Sequence, residues 1–230
     1  MCGRFAIVSP ASELQKAFKL VQKPATPSPN YNAAPGQDLF IIPNILPRAI
    51  SMFKWGLVPA HSKDASIGRR LTNARAETLW EKNSFKKAIR SRRCLVPANG
   101  FYEWKKTTGG KVPFFIRFKD KRLFAFAGLW EYWENGSQPM HTFTIITTEP
   151  NDLLGKIHNR MPVIMQPEFW DVWLSDRELS PNDTRDLLRT LDATFLEAFE
   201  VSSLVNSVSN NGPELIQKSK PRLMEQTSLF

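Results

Sequence analysis

Five segments rich in aromatic and β-branched residues crowd the middle of this chain, at 94–98, 101–105, 113–118, 123–127 and 141–147. Thr107-Thr108-Gly109-Gly110-Lys111 between the second and third carries the glycines of a hairpin. Strands so crowded leave no room for the strand–helix–strand alternation of a parallel sheet. There is also no GxGxxG or Walker loop, so a nucleotide-binding α/β fold is excluded. Two further strands are expected at 38–43 and 50–55, one at the start over 3–8, and one at 197–201. Helical spacing is confined to the margins. Ser9-Pro10 reads as the opening of a helix whose apolar face is Leu14, Ala17 and Phe18, with Ser9 as its cap. Leu79, Trp80, Phe85 and Ile89 predict a helix over 77–90, with Lys82, Lys86, Lys87 and Arg90 on its other face. Short helices are expected over 150–156 and 166–174, and a third begins at Ser180-Pro181-Asn182-Asp183, a capping-box pattern. The fold class is α+β: a single domain with a curved, mainly antiparallel, barrel-like sheet and peripheral helices.

The 230 residues suit one large domain, and 42% hydrophobic against 23% charged residues excludes general disorder. Residues 22–29 and 57–72 read as loops, Tyr31-Asn32-Ala33-Ala34-Pro35-Gly36 as a turn-rich segment, and 218–230 as a polar tail. No apolar run reaches the length of a membrane span and the N-terminus lacks a signal core, so a cytoplasmic, nucleoid-associated protein is expected, without membrane partners.

Charge is unevenly spread. The chain carries 31 Lys and Arg against 22 Asp and Glu, a net +9. Residues 54–122 hold 18 basic and 5 acidic residues, a local +13 that leaves −4 for everything else. A basic middle on a near-neutral frame points to a polyanion, most simply nucleic acid. A solvated lysine-rich surface explains the charge alone equally well.

The two cysteines, Cys2 and Cys94, form no CxxC or Cys/His cluster, so neither zinc nor another metal or cofactor is expected. Cys94 lies in an apolar run and reads as a buried small hydrophobe. Cys2 differs because removal of Met1 would place a free α-amine beside its thiol. With reference pKa values of about 7.7–8.0 for the amine and about 8.5 for the thiol, both are partly nucleophilic near neutral pH. A 1,2-aminothiol condenses with an aldehyde through the amine and closes through the thiol to a thiazolidine. Arg4, expected on the same side, would favour the thiolate and attract phosphate.

Other polar residues stand in contexts that suit chemistry. Glu103 lies in the aromatic run Gly100-Phe101-Tyr102-Glu103-Trp104, where burial would raise its pKa toward acid–base use; an exposed strand position would leave it ordinary. His158, in Ile157-His158-Asn159-Arg160-Met161-Pro162, suits proton transfer or a plain surface. His61 and His141 are less pointed. Asn73-Ala74-Arg75-Ala76-Glu77 reads as a polar turn, with Asn73 able to orient an amine and Arg75 to clamp a phosphate, or with Asn73 a simple helix-entry residue.

Taken in order, Met1-Cys2-Gly3-Arg4-Phe5-Ala6, Tyr31-Asn32-Ala33-Ala34-Pro35-Gly36, Trp55-Gly56-Leu57-Val58-Pro59, Asn73-Ala74-Arg75-Ala76-Glu77-Thr78, Gly100-Phe101-Tyr102-Glu103-Trp104, the His158 motif and Gly212-Pro213-Glu214-Leu215-Ile216-Gln217 resemble the SRAP family, the SOS-response-associated peptidase or abasic site processing proteins. The resemblance runs over 2–217, with 218–230 as a tail. It implies a protein that senses abasic sites in single-stranded DNA. Cys2 would form a thiazolidine crosslink after Met1 removal, with crosslink reversal and a weak lyase activity. By the same resemblance Asn73 positions the Cys2 end, Glu103 is the acid/base, His158 helps open the sugar, and Arg4, Arg75 and Arg160 contact phosphates. A monomer is expected. The chain departs from the pattern at Pro59-Ala60-His61-Ser62, where many members carry a tryptophan wedge, and at Met161, where a basic residue often follows. Two other readings fit the residues: a non-covalent single-strand binding module, and an N-terminal-nucleophile amidase with Cys2 as nucleophile.

Overall fold

The computed structural model describes residues 2–22, 28–136 and 138–219. In chain order these form β1 (Phe5–Ile7), α1 (Ala11–Ala17), β2 (Asn30–Ala33), β3 (Asp38–Pro43), β4 (Ser51–Trp55), β5 (Asn73–Arg75), α2 (Ala88–Ser91), β6 (Arg93–Ala98), β7 (Gly100–Thr107), β8 (Gly110–Phe118), β9 (Phe124–Trp133), β10 (Met140–Thr148), β11 (Met161–Pro162), β12 (Ile164–Met165), α3 (Trp170–Trp173), α4 (Pro181–Leu187) and β13 (Leu196–Glu200). Strands β10, β4, β3, β6 and β9 pair in succession, and β9 pairs back onto β10, closing a five-stranded barrel. Only the β4–β10 joint of that ring is parallel. Closure removes the open edges that a flat sheet would expose. β5 and β11 add to β10, and β12 to β9.

A second, antiparallel sheet has the order β13-β8-β7-β1-β2. Its Phe5 meets Trp55 at 5.3 Å and Phe126 at 5.8 Å between ring centroids, so this face packs on the barrel strands. Ala6, Tyr102 and Phe115 form a smaller cluster with Val201, Val205 and Leu215 from the C-terminal segment. Both faces of the second sheet are therefore covered. The chain crosses from barrel to second sheet at Asn99, whose Oδ1 accepts from the Val8 N–H at 2.8 Å and whose N–H donates to the Ala6 carbonyl at 2.8 Å. Gly100 follows because a Cβ there would lie 2.2 Å from Phe115 Cζ.

The α+β, barrel-like architecture read from the sequence is the one observed, but several local expectations change. The helix over 77–90 does not form. A 3₁₀ turn (Ala76–Thr78), further turns and the single turn of α2 replace it. Leu79, Phe85 and Ile89 still bury their side chains, but Asn83-Ser84 sits mid-segment, where such residues favour turns over helix. Asn73–Arg75 is a strand rather than a polar turn, held by parallel pairing with β10. Ser9 does not cap α1; its hydroxyl accepts from Asn99 Nδ2 at 2.9 Å. Only 3₁₀ turns and one short helix appear over 150–156 and 166–174. The capping box of α4 forms as expected, Ser180 Oγ accepting from the Asp183 N–H and Asp183 from the Ser180 N–H. The centre of the loop expected over 22–29 lies outside the described residues, as does the tail from 220 onward, while Lys218 bridges to Val201.

Candidate active site

Pairing of the first strand brings Cys2 to the middle of the molecule. Phe5 faces Phe101, Ala6 faces Gly100, and the Tyr102 N–H donates to the Arg4 carbonyl at 3.0 Å, so the residues before β1 run along β7 toward Glu103. Cys2 is 0% exposed and belongs to the main apolar cluster; its thiol points at the Arg4 carbonyl, 3.9 Å away. Burial pushes the thiol well above its ordinary range, and the charge of Glu103 pushes in the same direction. The thiolate expected beside Arg4 is thus not favoured in the resting protein.

Glu103 is 2% exposed although β7 ends in the exposed residues Lys105 and Lys106. Cover on both faces of the sheet removes the carboxylate from water, and burial raises its pKa. His158 Nε2 stands 4.0 Å from Glu103 Oε2. The Arg160 N–H points at His158 Nδ1 at 3.1 Å, so Nδ1 accepts and the neutral ring carries its proton on Nε2, the nitrogen facing Glu103. Burial lowers the His158 pKa, and the nearby Lys106 and Lys111 add to the effect. Cys2, Glu103 and His158 thus form one group: a protonated thiol, a carboxyl of raised proton affinity and a neutral imidazole.

Asn73 and the arginines take different places. Asn73 is half-buried on β5, with Nδ2 donating to the Ile145 carbonyl at 3.5 Å. Arg75 faces Thr147 across the β5–β10 pair and its side chain is exposed. Arg160 comes to the same residue, donating to the Thr147 carbonyl at 2.8 Å and, through both Nη atoms, to Glu77 at 2.8 Å each. Despite the burial that opposes it, that guanidinium holds the Glu77 carboxyl below its usual range. Arg4 goes elsewhere. Its Nη1 donates to Asn32 Oδ1 at 2.6 Å and to the Val205 carbonyl at 2.8 Å, with the guanidinium 5.9 Å from the Trp104 ring centroid. Arg4 therefore faces the C-terminal segment and not the thiol.

Sequence reasoning passed over Asn32. It is 1% exposed, and its Nδ2 also donates to the carbonyls of Ser207 and Asn210, both at 2.9 Å. An asparagine between strand-forming neighbours was the available signal, since strands are poor in Asn. Lys106 and Lys111 beside His158 were likewise missed. Cys94 is buried and free, His141 stacks on Phe53 at 4.6 Å, and His61 is exposed. Among the described residues no group of three His, Cys, Asp or Glu side chains could hold a metal.

A family model described as SOS response associated peptidase (SRAP) matches residues 1–208. The chain belongs to the SRAP family. Abasic site processing protein YoqW of Bacillus subtilis is 45% identical over 222 residues, covering 94% of this chain and 99% of the relative. Abasic site processing protein HMCES of Gallus gallus is 33% identical over 194 residues, covering 74% of this chain and 57% of its own length. A crystal structure of a protein from Bacteroides thetaiotaomicron superimposes with a TM-score of 0.85 at 27% identity, covering 95% of this chain and all of that one. The SRAP match contains Cys2, Arg4, Asn73, Arg75, Glu103, His158 and Arg160, and it ends before the 3₁₀ turn Pro213–Ile216, whose Leu215 is buried. No helix among the described residues is long and apolar enough to cross a membrane.

Proposed function

We propose that this SRAP protein recognises abasic sites in single-stranded DNA and captures them covalently through Cys2 once Met1 has been removed. The observation that carries the reading is the grouping of Cys2 with a buried Glu103 and a neutral His158. The names of the relatives, abasic site processing proteins, point the same way.

An abasic sugar is a hemiacetal in equilibrium with an open-chain aldehyde. His158, with its proton on Nε2, donates to the ring oxygen as the sugar opens. The Cys2 amine, oriented by Asn73, adds to the aldehyde carbon. Glu103, whose burial raises its hold on a proton, protonates the departing hydroxyl; water leaves and a protonated Schiff base remains. The thiol sulfur then adds to the same carbon, the C=N electron pair returns to the nitrogen, and the thiol proton goes to Glu103, which regains the proton it gave; the thiazolidine is closed. The net change is loss of one water, and the same groups run the reaction backward. A buried, protonated thiol stays quiet until the imine forms, which guards it against other electrophiles. Loss of a proton from the carbon next to the Schiff base gives the weak lyase cleavage. Arg75 offers an exposed guanidinium to a flanking phosphate; Arg4 and Arg160 serve phosphates only after exchanging internal partners. The working unit is a monomeric domain over 2–217, with 218–230 as its tail.

The test is a denaturing gel of protein mixed with a strand containing one abasic site. A slow-migrating adduct is expected, and capping the aldehyde with methoxyamine beforehand should abolish it. Equal binding of intact and abasic strands with no adduct would leave a single-strand binding module; turnover of small amides with indifference to DNA would leave an amidase.

A further inference from the structure

The cations assigned to phosphate by resemblance are largely used up inside the protein, which raises the question of what else holds the strand. Arg160 is bound by Glu77 and Thr147, and Arg4 by Asn32 and Val205. The tip of the β7–β8 hairpin is different. Lys106 and Lys111 face each other directly across the two strands, and both are exposed. Among the described residues neither has an acidic partner.

Two like charges placed opposite each other on antiparallel strands destabilise the pair they sit in. Opposite positions hold Cβ atoms about 4.5–5.5 Å apart, so two ammonium groups share a small patch of surface. A polyanion lying across them turns that repulsion into attraction. The hairpin presents them rigidly: Gly110 takes a φ of +115°, which favours glycine, and Thr107 Oγ1 donates to the Gly110 carbonyl at 2.9 Å. A preformed tip has little ordering entropy to lose on binding. Position matters as much as charge. Glu103 is three residues back along β7, and by strand alternation Lys106 and Lys111 share the face of Trp104, whose ring carries Arg4. Both lysines are also near enough to His158 for their charge to bear on it. The tip therefore continues β7 beyond Glu103, on the sheet face opposite to the carboxyl but with His158 within reach of both charges.

We propose that Lys106 and Lys111, at the tip of the β7–β8 hairpin, grip the phosphates of single-stranded DNA on one side of the abasic nucleotide. This rests on the DNA reading above. The grip is backbone-directed and indifferent to base identity, as a lesion sensor requires.

The experiment compares wild type, the pair Lys106→Gln with Lys111→Gln, and a control pair, Lys119→Gln with Lys121→Gln, which removes the same charge at the β8–β9 turn. Affinity for an intact labelled single strand is measured across a salt series. Each lost phosphate contact lowers the slope of log K against log salt by about 0.7, so the hairpin pair should lose about 1.4 while the control pair keeps the wild-type slope. The melting temperature of the hairpin pair should match that of the control pair, which shows that a changed slope is not a loss of fold. An unchanged slope in the hairpin pair, or an equal fall in both pairs, overturns the proposal. If wild type itself neither binds nor captures the strand, the DNA reading fails first, an outcome distinct from an unchanged slope in a protein that still forms the adduct.

Discussion

Replacing Glu103 with glutamine keeps the shape of the side chain and removes its ability to give or take a proton. The carboxyl is 2% exposed and lies 4.0 Å from the Nε2 of His158, so water cannot readily substitute for it. Positioned general acid–base groups contribute roughly 100- to 10,000-fold. His158 remains in the variant and can carry part of the proton traffic. The lower end therefore applies: capture of an abasic strand should slow about 100-fold, or about 2.7 kcal/mol of barrier. Reversal should slow alongside it, since the same proton is used both ways. Non-covalent affinity for an intact strand should stay near wild type. Two side measurements separate chemistry from damage to the fold. Removing the anion beside Cys2 lowers the proton affinity of the thiol, so alkylation of Cys2 should begin at lower pH than in wild type. Because the folded carboxyl holds its proton more tightly than the unfolded one, wild-type stability falls as pH rises from the ordinary glutamate range through the raised value. The amide of Glu103→Gln has no such proton to lose, so the variant should gain melting temperature relative to wild type at neutral pH and lose that advantage in acid. Capture within twofold of wild type, or parallel loss of capture and binding, would refute the reasoning.

Three more expectations follow from particular contacts. Arg93, fully buried, donates to the carbonyls of Trp173, Ser175, Arg177, Ile89 and Arg90. Arg93→Met strands these acceptors and should cost about 3–5 kcal/mol in chemical denaturation, the range for losing one side of a buried charged interaction; an unchanged midpoint would contradict its role as a strut. Asn32→Ala removes the amide that holds Val205, Ser207 and Asn210, and should cost about 1–3 kcal/mol. Amide exchange over 205–210 should rise first, and unchanged protection there would count against it. Burial lowers the His158 pKa, so its neutral form persists below the usual imidazole range. Protonation at Nδ1 breaks the contact with the Arg160 N–H that holds the ring in place, so wild-type capture should hold down to that pH and then fall; His158→Gln should be slower and lack this limb, and an identical acid limb would assign it to another group.

The barrel and the second sheet were legible because β3, β4, β6, β7, β8, β9 and β10 are long enough to show strand composition between turn residues. β2, β5, β11 and β12 span two to four residues each, too few for a period to declare itself, and exist because neighbouring strands supply their partners. The failed helix over 77–90 had the right apolar spacing, and burial satisfied it through turns instead. Within the site, residue types were readable and commitments were not. The burial of Glu103 depends on segments distant in the chain, the one that leads into β1 and the one that carries His158. Arg4 looked free because its partners lie 28 and 201 residues away, and Arg160 because Glu77 lies 83 residues away. Such pairings are set by the fold and leave no local trace.

The central claim is that Cys2, through its own amine and thiol, takes up an abasic aldehyde. Intact-mass measurement after mixing the purified protein with a strand bearing one abasic site tests it most directly, with Cys2→Ala alongside. The expected species is protein lacking Met1 plus the strand minus one water, stable to denaturation and missing in Cys2→Ala. A full yield of adduct from Cys2→Ala, or a wild-type protein free of Met1 that leaves the strand unmodified, would contradict it.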